Sequence, residues 1–421
     1  MNRALRTDLL VLYFQRPGAP QRAALRDHLW SWRRHGRLRT LYVNVAAPPP
    51  TEWLRRLEPR VLLLHTSFLA QRWQADTFSG LWRKYVPLVS RKPFVAAAPQ
   101  DEFLHTEALS ECLEAFGTGL VLTCADDEDA RRIYGCAPNF RLRRVLTGYL
   151  EPSRVKHVGS FGSMPTPRRP IDVGYRAWKS EPWLGRHGML KRIIAEETLR
   201  RNEHFGLRLD VSVEARDVIH GDAWYRFLGS CKATLGVEGG SSILDRDGTI
   251  RQRTHEYLLR EPDATFDEVE ARCFPESDGS LRLFCLSPRH LEAAATGTAQ
   301  LLIEGRYNDL LKPEEDYYPV RADLSNLSNA LTWVRNKPLE VAAMAERARR
   351  KVLESPHLTY SAFVADFEKW LVDQGVPVPE RKRRGIDATT GLAWAMALHE
   401  TFSATRLRLW QLRQRHLVQS R

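Results

Sequence analysis

Apolar residues come first in short unbroken runs, and each run is followed by a longer stretch in which they recur every third or fourth position. "DLLVLYF" (8–14), "RTLYVNVA", "RVLLLHTSF" and "KPFVAAAPQDEF" are such runs, bounded by Gly, Pro and polar residues, and they predict strands buried on both faces. Between them, "RAALRDHLWSWRRHG" reads as an amphipathic helix stopped by Gly36, Thr51 to Leu57 as a short helix, and "FSGLWRKYVPLV" as another. "TEALSECLEAFG", "GLVLTCA", "DEDARRIYG" and "RLRRVLTGYL" continue the alternation. Strands that alternate with helices imply a parallel sheet covered on both faces.

The stretch 151–170, "EPSRVKHVGSFGSMPTPRRP", is rich in Pro, Gly and Ser and marks a boundary. A second alternating unit follows. Its strands are "IDVGYRA", "LRLDVSV", "KATLGVE" and "AQLLIE", and its helices "GMLKRIIAEETLRRN", "GDAWYRFLGSC", "SPRHLEAAATG" and "LSNLSNALTWVRN". Residues 338–373 read as helical, "GVPVPERKRRG" as a linker, and Asp387 to Leu417 as a last helix. The expected fold class is therefore α/β, with two tandem Rossmann-like doubly wound parallel-sheet domains and a helical C-terminal tail. Expected bounds are 1–157, 170–355 and 356–421.

The chain's 421 residues leave room for two or three cores. No run of about 18 apolar residues occurs, so no transmembrane helix is expected. "MNRALRTDLLVLYF" is interrupted by Asp8 and lacks a small-residue cleavage site, which favours a first strand over a signal peptide. The six cysteines form no CxxC pair, so reduced thiols in a cytoplasmic protein are expected and no metal site.

Net charge of +12 would suit nucleic acid, but the charge is local. Val376 to Arg421 carries nine Lys/Arg against three Asp/Glu, half of the excess, and Arg22, Arg26, Arg33, Arg34, Arg37 and Arg39 form a second cluster. In the tail, Trp394, Leu398, Leu409, Trp410 and Leu417 with Arg406, Arg408, Arg413 and Arg415 would suit an anionic membrane surface, or packing on the domains or a partner subunit. GxGxxG, GxxxxGK[ST] and GxSxG are all missing, which disfavours dinucleotide, P-loop and serine-hydrolase chemistry.

Open parallel sheets bind ligands beyond the carboxyl ends of their strands. Residues there are His65, Gln100-Asp101-Glu102, Arg176 with Lys179, the run "EGGSS" (Glu238, Gly239, Gly240, Ser241, Ser242), and the segment "SPRHLEAAATGTAQLL". In that segment Ser287 suits an N-cap, Pro288 a first helical position and Gly297 a stop. First-turn amides through His290 and Leu291, the helix dipole and the Arg289 fork together make a diphosphate site. Glu292, one turn on, could accept from a ribose diol. A capped surface helix explains the same residues without a ligand. Arg186, His187 and Lys191 add a second cationic run. Asp101 and His65 are alternative general bases; a dipole-favoured acidic cluster or a structural histidine would equally account for them.

"LEAAATGTAQLLIEG" resembles the segment of GT-B glycosyltransferases in which a Glu precedes an Ala/Gly-rich helix end and a strand. "RAALRDHL", "APQDEFLHTEAL", "IDVGYRAWKSEPWLGRHG", "HGDAWYRFLGSCKATLGVEGGSSILDRDG", "SPRHLEAAATGT" and "LLKPEEDYYPVRADLSN" together resemble a bacterial branch of the group-1 glycosyltransferases over roughly residues 1 to 370. The resemblance implies a sugar moved from a nucleotide diphosphate, UDP- or GDP-linked, to a glycan, lipid or protein acceptor. It implies Glu292 on the ribose, and Arg176 with Lys179 neutralising the diphosphate without a metal or separate cofactor. The family's other glutamate, separated from it by seven residues, would fall on Phe284, which leaves Glu238 and its loop as candidate sugar contacts. Cytoplasmic location, at most peripheral at a membrane, goes with this reading. Its rivals are a non-catalytic nucleic-acid or membrane-surface binding protein on paired Rossmann-like domains, and a sugar-nucleotide epimerase of the same fold.

Overall fold

The computed structural model describes residues 5–136, 138–154, 156, 164–381 and 401. The helix expected over Asp387 to Leu417 lies outside the described residues, save Thr401.

In the first domain the apolar runs are strands β1 (Leu5–Tyr13), β2 (Thr40–Asn44), β3 (Leu57–Leu64), β4 (Phe94–Ala97), β5 (Leu120–Thr123) and β6 (Arg141–Arg144). They form one parallel sheet in the order β2-β1-β3-β4-β5-β6. Helices α1 (Ala23–His35), α2 (Thr51–Arg56), α3 (Thr66–Leu69), α4 (Ala75–Trp82), α5 (Thr106–Ala115) and α6 (Asp127–Tyr134) connect them. Burial on both faces explains why these strands read as continuous apolar runs: Leu10, Leu12, Leu62 and Leu64 face one core, Leu9, Val11, Val61 and Leu63 the other.

The second sheet is also parallel, in the order β13-β12-β9-β7-β8. Its strands are β7 (Ile171–Arg176), β8 (Leu209–Ser212), β9 (Cys231–Gly236), β12 (Ala299–Ile303) and β13 (Tyr318–Val320). Helices α7 (Gly185–Arg201) and α8 (Asp222–Ser230) precede β9, and α11 (Pro288–Ala295), α12 (Leu327–Asn336) and α13 (Pro338–Leu353) follow. The two doubly wound domains expected from the pattern are thus both present. The short edge strand β13 was not expected, since three residues carry too little pattern to announce it.

Two features depart further from the pattern. Residues 239–285 form an insertion: strands β10 (Gly239–Ser241) and β11 (Leu283–Cys285) pair antiparallel, and α9 (Thr249–Leu258) and α10 (Phe266–Cys273) lie between them. Both helices are largely exposed, with Thr254 the buried residue of α9, so neither shows a broad apolar stripe. The last helix, α14 (Tyr360–Asp373), returns to the first domain, where Phe363, Val364, Phe367 and Leu371 complete the core under α1. Glu368 fastens it there, accepting from Arg37 Nε at 2.7 Å and Arg37 N at 2.5 Å.

The insertion ties the domains together. Backbone bonds join His105 N to Asp245 O and Asp245 N to Phe103 O, each at 2.8 Å. Arg251 donates to Trp73 O at 3.0 Å and lies over the rings of Trp73 and Trp183. The opposite side of the boundary is the cleft between the strand ends.

Candidate functional site

The cleft is built from the ends of β4 and β7 and the starts of α1 and α11. After β4 the chain turns sharply, with Asp101 and His105 both left-handed at φ 52° and 51°. The turn is organised by Arg72, whose fully buried guanidinium donates to Leu104 O and Leu69 O at 3.0 Å, Gln100 O at 2.7 Å and Asp101 O at 2.5 Å. Gln100 in turn donates to Thr147 O at 2.7 Å. Asp101 is exposed to solvent at this turn. Desolvation by the surrounding protein raises its carboxyl above the ordinary range, against the pull of Arg72, Lys191 and Arg22. Its neighbour Glu102 is buried elsewhere, accepting from Thr123 Oγ1, Tyr134 Oη and Cys124 N.

Cations from three further elements meet near Asp101, two of them acting on it and the third, Arg289, on those two. Arg22 caps α1, Lys191 lies on α7 and Arg289 opens α11. Arg22 and Lys191 each feel Arg289 and Asp101, and the Lys191 ammonium is brought down to about 8 by burial and then by Arg289. Arg289 is oriented by a 2.7 Å bond from Nη1 to Arg176 O. Three positive charges held together with one carboxylate form a site for a multiply charged anion.

The start of α11 faces the junction between domains. Thr147 Oγ1 donates to Leu286 O at 2.9 Å, and a Cβ at Gly148 would lie 2.6 Å from Pro288 Cγ, so that approach requires glycine. Ser287 N donates to His290 Nδ1 at 3.1 Å. The His290 ring is therefore buried in a cap, and burial brings its pKa down to about 3. Leu291 belongs to the core. Of the residues expected here, Arg289 is the one whose charge reaches Arg22 and Lys191.

Several expectations need correction. Arg176 lends its carbonyl, not its charge: its guanidinium is taken by Asp210 Oδ1 at 2.6 Å, by the carbonyls of Tyr175, Asp210 and Asp217, and by the face of Phe227. Lys179, three residues past β7, is exposed and makes no ion pair among the described residues. His65 is no free base. It is fully buried, bonded to His28 Nδ1 at 2.9 Å and accepting from Ser67 N, and burial pushes its pKa well down.

Glu238 is buried and accepts from Tyr307 N at 2.7 Å, stabilising a turn in which Tyr307, Asn308 and Asp309 are all left-handed. Gly239 and Gly240 are paired with Cys285 and Phe284, so "EGGSS" is a strand rather than an open amide nest. Gly240, at φ 112°, has Leu283 O where a Cβ would stand. Ser241 Oγ donates to Leu184 O and Ile243 O, and Ser242 Oγ to Asp278. Glu292 was expected as a free diol acceptor. Its buried carboxylate already accepts from Trp224 Nε1 at 2.7 Å and Tyr225 Oη at 3.1 Å, joining α8 to α11.

Of the second cationic run, Arg186 is held by Asp267, Glu270 and Asp278 of the insertion. The His187 ring stacks on Phe284 with centroids 3.6 Å apart, and only Lys191 reaches Asp101.

Residues 186–368, which include Lys191, Arg289 and the whole of α11, match the family described as glycosyl transferase-like. The matched residues run from α7 through most of the second domain. The match also takes in the insertion and most of α14, and leaves Arg22, Arg72 and Asp101 outside it. No curated protein sequence matches the chain. Solved structures of similar layout include Anabaena Alr3699/HepE in complex with UDP-glucose, at TM-score 0.49 and 9% identity over 86% of this chain and 99% of that one. TarM reaches 0.41 and 10% over 76% and 54%. An alpha-glucosyltransferase in complex with UDP and a 13-mer DNA containing a central A:G mismatch reaches 0.47 and 9% over 88% and 99%. These are likenesses of outline, and the roles of this chain's residues rest on its own geometry.

Proposed function

We propose that the protein is a glycosyltransferase that takes a sugar from a nucleotide-diphosphate donor held against the second domain and passes it to an acceptor hydroxyl on the first. One observation carries this reading: Arg22 of the first domain and Lys191 of the second each lie close enough to feel both Arg289 and Asp101, an excess of positive charge at one place. The excess of positive charge suits a diphosphate. As the glycosidic bond to it breaks, charge grows on the departing phosphate, and fixed cations stabilise that growth without a metal. Asp101, with its carboxyl raised by desolvation, is placed to take the acceptor proton. The acceptor is a glycan, lipid or protein hydroxyl, and the work would be done in the cytoplasm or at its membrane face.

The test is calorimetric titration of the full chain with UDP, GDP, ADP and TDP, followed by product analysis with sugars of whichever nucleotide binds. Saturable binding of one nucleotide class and a new glycosidic product are expected. Binding with only an isomerised donor sugar would point to an epimerase. Salt-sensitive binding to duplex nucleic acid without affinity for any nucleoside diphosphate would replace the reading altogether.

A further inference from the structure

Arg72 poses a question that the cleft alone does not answer. It is fully buried, among the largest side chains so enclosed, and makes no ion pair among the described residues. Burying a guanidinium is expensive unless its charge is compensated and its donors are satisfied. Here each of its four hydrogen bonds goes to a backbone carbonyl, and three of the four acceptors, Gln100, Asp101 and Leu104, belong to the single turn after β4. That turn contains left-handed residues at both Asp101 and His105, a conformation that costs a non-glycine residue energy and persists only when neighbours impose it. A neutral side chain could not supply these donors, and Lys could not spread them over a fork.

We propose that Arg72 is a positioning residue: its buried fork clamps the Gln100–Leu104 turn in the geometry that presents Asp101 to the cleft. The unpaired charge acts on the same carboxylate. Asp101 feels Arg72 first and then Lys191 and Arg22, while Tyr134, Glu102 and Cys112 also act on Arg72. The guanidinium thus fixes where the carboxylate stands and favours its ionised form. This inference deepens the proposed role of Asp101 and rests on that reading for its consequence in catalysis, though not for its geometry.

The test uses the full chain labelled with ¹³C-aspartate, in R72M and R72K, with carboxyl and Cα shifts of Asp101 followed through a pH titration. In R72M the Asp101 midpoint is expected to rise by about one pH unit or more, the effect of losing a nearby opposite charge. In R72K, which keeps the charge and loses the fork, the Cα shift is expected to leave its left-handed value. R72K also serves should R72M fail to fold. A lower melting temperature with the Asp101 midpoint and Cα shift both unchanged in the folded variants would overturn the proposal. Calorimetry of the unaltered protein with UDP, GDP, ADP and TDP reports separately on the transferase reading. Absence of binding there would remove that reading and leave the Arg72 result standing.

Discussion

The two sides of the interdomain boundary treat charge in opposite ways. On the insertion side the charged groups at the boundary are partnered: Arg186 has three carboxylates, Arg251 a carbonyl and two aromatic faces, and Asp245 the amides of Gly248, Ile250 and Arg251. On the cleft side Arg22 and Lys191 each feel the carboxylate of Asp101 and the repulsion of Arg289. Partnered charge holds two domains in register. Excess charge of one sign destabilises the free protein, and its persistence points to a ligand that supplies the missing negative charge. The distinction is testable, because variants on the two sides should fail differently.

The largest effects belong to the cleft. Replacing Asp101 with Asn should lower turnover by about 10²- to 10⁴-fold with little change in nucleotide affinity, the span expected for loss of a general base. Steady-state rates beside a direct binding measurement check it. Unchanged turnover would pass the role of base to another group. Replacing Arg289 with Ala should weaken nucleoside diphosphate binding and lower kcat/KM by about 10²-fold, as for loss of one preorganised electrostatic donor. The α11 amides remain, so binding should weaken rather than vanish.

Lys191 gives the comparison a pH axis. Its ammonium, brought down to about 8, is charged below that value and neutral above it. Diphosphate affinity should therefore fall as pH rises through about 8, and a K191M variant should bind more weakly with no break there. Because a bound diphosphate favours the charged form, binding near pH 8 should also take up a proton, visible as a dependence of calorimetric heat on the buffer's ionisation enthalpy. A flat affinity profile in the unaltered protein would place Lys191 outside the anion site.

How much of this could be read from the chain follows from the range of each interaction. The strands were legible because burial on both faces writes itself as an unbroken apolar run, and the start of α11 because capping is local: Ser287, Pro288 and Arg289 are consecutive. Arg289 was found for that reason. Arg22 appeared only as one member of a basic cluster and Lys191 as one of a cationic run, since nothing local says which cations meet. Arg176 was misread because its direction is set by Asp210, on the neighbouring strand β8. Glu292 looked free because Trp224 and Tyr225, some seventy residues earlier, could not be placed beside it. Arg72 left no signal, because its partners are backbone carbonyls that exist only in the folded turn. The insertion was missed because its helices are mostly solvated.

On the partnered side, effects should fall on stability and be smaller. Asp245 accepts three amides at the start of α9 and pairs through its backbone with Phe103 and His105 of the first domain. D245A leaves those amides without their acceptor and should cost about 1–3 kcal/mol in chemical denaturation, the penalty for an unsatisfied buried group, while nucleoside diphosphate affinity stays within a factor of two.

The smallest change distinguishes the two treatments of charge at one residue. E292Q preserves shape but offers one oxygen to two donors, Trp224 Nε1 and Tyr225 Oη, so one of them must face the new amide group. One lost hydrogen bond predicts a drop of about 0.5–1.5 kcal/mol with nucleotide affinity unaltered. If nucleotide affinity falls tenfold while stability holds, Glu292 belongs with the cleft cations as a ligand contact. In that case the bonds to Trp224 and Tyr225 orient the carboxylate toward a ribose, and the boundary between structural and functional charge runs one residue turn deeper into α11.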